Sequence, residues 1–68
     1  MRSSVDLSLV IESGEEELEV VSMIAEVYGV FWSETNRFEG GHPVFNFNGK
    51  KARIDRLLKD YEEGNEVL

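Results

Sequence analysis

Residues 30–48 read VFWSETNRFEGGHPVFNFN, and this stretch holds all four phenylalanines and the single tryptophan, proline and histidine of the chain. Phe31, Trp32, Phe38, Phe45 and Phe47 favour a pleated, half-buried surface, and Glu39-Gly40-Gly41-His42 between them has the glycines that a tight reversal needs. The stretch therefore reads as a β-hairpin, with two possible registers. A two-residue loop at Gly40-Gly41 sets Phe38 opposite Pro43 and gives Trp32, Glu34, Asn36 and Phe38 the face shared with Phe45 and Phe47. A slip by one residue puts Phe31, Ser33, Thr35 and Arg37 on that face instead, because strand side chains alternate. In both cases one large aromatic of the Phe31-Trp32 pair points away from whatever covers the hairpin. A contiguous exposed aromatic patch is more often an interaction site than an accident.

Outward from the hairpin, residues 5–11 alternate: Val5, Leu7, Leu9 and Ile11 fall on one face, Asp6, Ser8 and Val10 on the other. That is the pattern of a strand with one buried face. Ser13-Gly14-Glu15-Glu16 has the form of a capping box, with the Ser13 hydroxyl accepting from the Glu16 amide and the Glu16 carboxylate accepting from the Ser13 amide. It predicts a helix start, and Glu15, Glu16 and Glu17 in the first turn suit the positive end of the helix dipole. Val20, Val27, Ile24, Tyr28, Val21, Ala25 and Leu18 then spread over about half the circumference, wider than one sheet contact requires. Part of that arc is predicted to face a partner. Gly29 is placed to end the helix in a left-handed conformation.

After the hairpin, Asn48 is predicted to cap a second helix over residues 49–62, with Ile54, Leu57, Leu58 and Tyr61 as its buried stripe. Asp55 with Lys59, and Arg56 with Asp60, are pairs of opposite sign one turn apart. Gly64-Asn65 is predicted to stop this helix, leaving Glu66-Val67-Leu68 as a short tail.

The elements assemble into a single α+β domain over residues 1–68, of β-α-β-β-α order, with a three-stranded sheet and both helices on one face. A right-handed crossover makes the first two strands parallel, and the third, antiparallel to its hairpin partner, fits between them to give sheet order 2-3-1. This is a ferredoxin-like split β-α-β unit lacking the last strand. Its predicted core is Leu7, Leu9, Ile11, Val21, Ile24, Ala25, Tyr28, Phe45, Phe47, Ile54, Leu57, Leu58 and Tyr61.

A chain of 68 residues buries only about 60% of its unfolded surface, and small domains of this size lean on disulfides, a metal or association. With no cysteine and one histidine, neither a disulfide nor the usual nitrogen and sulfur metal site is expected, and no cofactor is implied. Association remains. The edge of the 5–11 strand carries no proline or lysine to block it, so a homodimer is expected. No apolar run approaches a membrane span of about 20 residues or a signal-peptide core, so a cytoplasmic protein without membrane contact is expected.

The net charge of -7 lies wholly in residues 1–49, while residues 50–68 are neutral in sum. The amides of a helix start at Asn48-Gly49-Lys50-Lys51 could hold a phosphate together with the two lysines, and Arg53 and Arg56 follow. An acidic domain with a self-paired basic helix nevertheless argues against direct nucleic-acid binding. His42 sits in the hairpin turn with no cysteine nucleophile and no Ser or Asp tied to it by a motif, which makes it an exposed turn residue and the chain a non-enzyme. Glu15, Glu16 and Glu17 lack the loop spacing of a calcium site.

The acidic helix, the aromatic hairpin and a last helix ending Asp60-Tyr61-Glu62-Glu63-Gly64-Asn65 together resemble short uncharacterised proteins encoded by bacteriophages and mobile elements. The resemblance spans the chain and implies an accessory protein of the cytoplasm that acts by binding. It carries over no functional residues.

The expected function is thus a small binding module that modulates a macromolecular partner, with Phe31 and Trp32 as candidate contacts for a protein. The alternative uses the stripe Glu15, Glu19, Ser22 and Glu26, opposite the apolar arc, as a mimic of nucleic-acid phosphates that inhibits a nucleic-acid-binding protein. The apolar reading is preferred, because acidic helix faces are commonly just solvated, whereas surplus apolar surface is not explained by solvation.

Overall fold

In the computed structural model, which describes residues 1–64, the chain runs β1 (Arg2–Ser8), α1 (Glu17–Tyr28), β2 (Phe31–Glu39), β3 (His42–Lys50) and α2 (Lys51–Glu62). The sheet order is β1-β3-β2 with both pairings antiparallel, the arrangement expected from the hairpin. The hairpin strand β3 is therefore central. It sets Phe47 between Val5 and Trp32, and Phe45 between Leu7 and Glu34.

Those rows define the covered face. Leu7, Leu9, Phe45 and Phe47 form one buried cluster with Val20, Val21, Ile24 and Ala25 of α1, Val30, and Ile54 and Leu57 of α2, so both helices lie on the same side. Ile11, Tyr28 and Leu58 pack against it partly buried, as do Val5 and Trp32. Val20, Val30 and Val44 are buried although the expected core omitted them, while Tyr61 is 36% exposed and lies outside it. Tyr61 instead places its hydroxyl 3.1 Å from that of Ser8. The helices are also joined by the Tyr28 hydroxyl, which donates to Asp60.

The first strand begins and ends earlier than its hydrophobic alternation suggests. Leu9 N–H donates to the Pro43 carbonyl at 2.9 Å, but Pro43 has no N–H to return, and the ladder stops there. Leu9 stays buried and Val10 exposed, so the alternation outlasts the hydrogen bonding. At the other end, the Met1 carbonyl accepts from Lys51 N–H at 2.9 Å.

The hairpin turns at Gly40 and Gly41, both at positive φ (57° and 81°), with Phe38 opposite Pro43. This is the first of the two registers, modified by a bulge. Pairing steps from Arg37 with Val44 directly to Glu34 with Phe45, so Thr35 and Asn36 are extra. An insertion of even length leaves the faces unchanged, and Trp32 stays on the covered side. The Thr35 hydroxyl replaces the missing ladder bonds, donating to the Val44 carbonyl at 2.6 Å and accepting from Arg37 N–H at 3.2 Å. Asn36 takes φ 61°, a left-handed value that asparagine tolerates better than most residues.

Both predicted N-caps are corrected. The capping box at Ser13 does not form. Residues 12–15 make a turn in which Glu15 N–H donates to the Glu12 carbonyl and the Glu15 carboxylate accepts from Glu12 N–H, and α1 starts after Glu16 with no side-chain cap. Gly14 at φ 92° bends the chain before a helix can begin. Asn48 belongs to β3, and α2 follows that strand directly with Lys50 at its cap position. The end of α1 is as expected: Gly29 is left-handed, Val30 N–H donates to the Ala25 carbonyl, and Gly29 N–H to that of Glu26. On α2 the ion pair is Lys51 with Asp55 at 2.7 Å, one turn earlier than the pairs expected. Gly64 is at φ 74°, and the expected stop at Asn65 and the tail 66–68 lie outside the described residues.

Candidate functional site

Even-numbered positions of β1 and β3 point away from the helices, and apart from Val44 their residues are polar. Across the sheet this open face reads Ser4, Asn48, Phe31 in one row, Asp6, Asn46, Ser33 in the next, and Ser8, Val44, Arg37 in the third. The side chains bond to one another in a chain. Arg2 donates to Asn48 Oδ1 at 2.9 Å, Asn48 to Asn46 Oδ1 at 3.4 Å, and Asn46 to Asp6 Oδ1 at 2.8 Å, while Arg37 pairs with the other Asp6 oxygen. The Asn46 hydrogen bond, with the bond and charge of Arg37, holds the Asp6 carboxyl below its usual value against some desolvation.

Phe31 is the exposed apolar residue of this face, whereas Val44 is buried. Its ring is 65% exposed and lies under the Arg2 guanidinium, 5.8 Å from the centroid, a cation–π contact. Trp32 is on the opposite side, partly buried in the core and edge-on to Phe45 at 6.0 Å. The two candidate aromatics therefore do not form one patch.

The candidate acidic row is also divided. Glu19 and Glu26 lie on α1, but Glu15 lies in the turn before it and uses its carboxylate on Glu12 N–H. On α1, Leu18, Glu19, Ser22, Met23 and Glu26 line one shallow depression, so the acids share their surface with apolar side chains. Leu18 and Val27, the two ends of the apolar arc read from the sequence, are each more than half exposed, and so is Met23, which lay outside that arc.

A second cleft of about 300 Å³ lies beside the β2 bulge, bounded by Glu17, Glu34, Asn36, Arg37 and Phe38. His42 is exposed at the start of β3. Among the described residues no three His, Cys, Asp or Glu side chains converge as a metal site, and no helix is long and apolar enough to cross a membrane.

The polar chain from Arg2 through Asn48, Asn46 and Asp6 to Arg37 was not anticipated. Its signal is in the sequence, since Asn46 and Asn48 alternate with Phe45 and Phe47, and a central strand polar on alternate positions must show one face to water.

These features define a small α+β domain with one sheet face covered by helices and the other open. Comparison of the chain with protein-family models, curated proteins and solved structures gave no match.

Proposed function

We propose that this protein is a non-enzymatic binding module that docks on a protein partner through apolar surface outside its core, and that it does so as a homodimer. The observation that supports it best is Phe31, a large aromatic held in the open by the Arg2 guanidinium on a polar sheet face. An aromatic fixed before binding loses little entropy on docking and is the type of residue that dominates interface energy. Met23 and Val27, neighbours one turn apart on α1 and both more than half exposed, add a smaller apolar surface.

Trp32 serves the core, so the discriminating variant is Phe31→Ala. With a partner captured from the native host, this change should weaken binding by about 2 kcal/mol, roughly thirtyfold, with little dependence on salt. Trp32→Ala should lower stability first. The acidic mimic is the weaker reading, because Glu15 stands apart from Glu19 and Glu26. Binding that weakens steeply with ionic strength, survives Phe31→Ala and is lost on reversing Glu19 and Glu26 would favour it. Turnover of a small substrate that disappears in His42→Ala would overturn both.

A further inference from the structure

The sheet has two edges, and they differ. The outer edge of β2 is interrupted by the Thr35-Asn36 bulge, a device that twists an edge away from further pairing. β1 has no bulge and no proline. Its inner bonds show which backbone groups remain free. Leu9 N–H bonds to Pro43 of β3 and the Met1 carbonyl to Lys51 just beyond its end, so odd-numbered residues of β1 turn their backbone inward. In an antiparallel ladder the alternate residues then turn theirs outward, and these are Arg2, Ser4 and Asp6, all exposed, with Ser8 at the end.

We infer that the free edge of β1 pairs antiparallel with β1 of a second copy, about a twofold axis at Ser4. This rests on the homodimer reading above and gives it a seam and a register. Hydrogen-bonded pairing must match outward residues with outward residues, which leaves few registers. An axis at Asp6 sets that carboxylate against its own copy. An axis at Val5 needs Ser8, whose side of the edge is occupied by the Tyr61 hydroxyl. An axis at Ser4 pairs Ser4 with itself and sets Arg2 opposite Asp6 of the other copy, twice. These pairs exchange about six backbone bonds and bring opposite charges together on the open face. The product is a continuous six-stranded sheet, β2-β3-β1-β1-β3-β2, in which the only remaining edges are the two bulged ones. Its open face carries two copies of Phe31 on one surface, which suits a partner that is itself twofold or repeated.

The chain has no cysteine, so single substitutions report on the seam directly. Ser4→Cys, Val5→Cys and, as an exposed control on β2, Ser33→Cys are oxidised and run on a non-reducing gel, while light scattering follows the wild type over a dilution series. Ser4→Cys should crosslink about tenfold faster than either other variant, since a directly opposed pair has the Cα spacing a disulfide needs. Arg2→Glu, which would face Asp6 of the copy, should raise the dimer dissociation constant by about tenfold or more with unchanged circular dichroism. A wild-type dimer in which Val5→Cys or Ser33→Cys crosslinks fastest, or in which Arg2→Glu has no effect, overturns this seam and leaves the dimer standing. A wild type that is monomeric throughout overturns seam and dimer together. The Phe31→Ala binding assay tests the partner reading separately from both.

Discussion

Gly29 shows how one missing methyl group joins two elements. At φ 68° it closes α1, and its carbonyl accepts from Arg53 Nη1 of α2 at 2.9 Å. A Cβ at this position would meet that same Nη1 at 3.0 Å. Gly29→Ala therefore adds left-handed strain and displaces Arg53, for an expected loss of about 1–2 kcal/mol in a urea titration followed by Trp32 fluorescence. Asp6 governs acid stability at the same scale. Its folded carboxyl lies below the ordinary 3.8, first through the Asn46 hydrogen bond and then through Arg37. A depressed carboxyl contributes stability that is present above the unfolded value and lost as pH falls through the folded one. The difference in urea midpoint between wild type and Asp6→Asn should thus be constant near neutrality and shrink below about pH 4. A difference that grows with acidity would contradict the assignment. Tyr28 works in the opposite sense, since burial first and then Asp60 raise its hydroxyl, so its contribution fades only at strongly alkaline pH.

Among the elements, β2 makes the most specific claim. Thr35 and Asn36 are two extra residues, and the even number keeps Trp32 inside and Phe31 outside. Deleting both should leave each residue of 31–34 on its present face. Deleting Asn36 alone should turn that segment over, driving Phe31 under α1 and Trp32 into water. The single deletion is therefore expected to be less stable than the double one by at least about 2 kcal/mol, with red-shifted tryptophan emission. Equal stabilities would mean that the strand end is not held by its face. The helices were easier to read than the strands, but their starts were not. Ser13 to Glu16 matches the capping pattern and still forms a turn, because Gly14 at φ 92° is outside the helical region and Glu15 is drawn back to Glu12. Asn48 is a good capping residue whose side chain is taken by Arg2 and Asn46 across the sheet.

At the scale of the molecule, stability rests on a small cluster centred on β3. Phe47 is fully buried and sits between Val5 and Trp32 in the central strand. A domain of this length has about 3–10 kcal/mol of net stability, and truncating a buried phenylalanine costs about 3–5 kcal/mol. Phe47→Ala should therefore abolish the cooperative thermal transition or lower its midpoint by well over 10 °C, about the shift such a loss gives in a small domain, as read by circular dichroism. Phe31→Ala, on the open face, should leave that transition nearly unchanged.

The handedness of the crossover gave the strand order, and the sequence alone determined the class of fold, a reversal within residues 39–42, the left-handed Gly29 and most of the core. All but the strand order follow from a local period or from the backbone freedom of glycine, which act wherever the chain goes. Tertiary structure decided what depends on a neighbour distant in sequence. Pro43 ends β1 because Leu9 comes to lie beside it, and Arg2 to Ser4 join the sheet because the last residues of β3 lie opposite. Asn48 leaves its capping role for a place among polar residues on the open face. The register set by Phe38 opposite Pro43, kept in phase by the two-residue bulge at Thr35-Asn36, settles that Phe31 meets solvent while Trp32 meets Phe45. Periodicity picks the buried face of β1 and β3, but β2 has no wholly apolar face, and only its pairing with β3 under the helices decides which of its faces is covered.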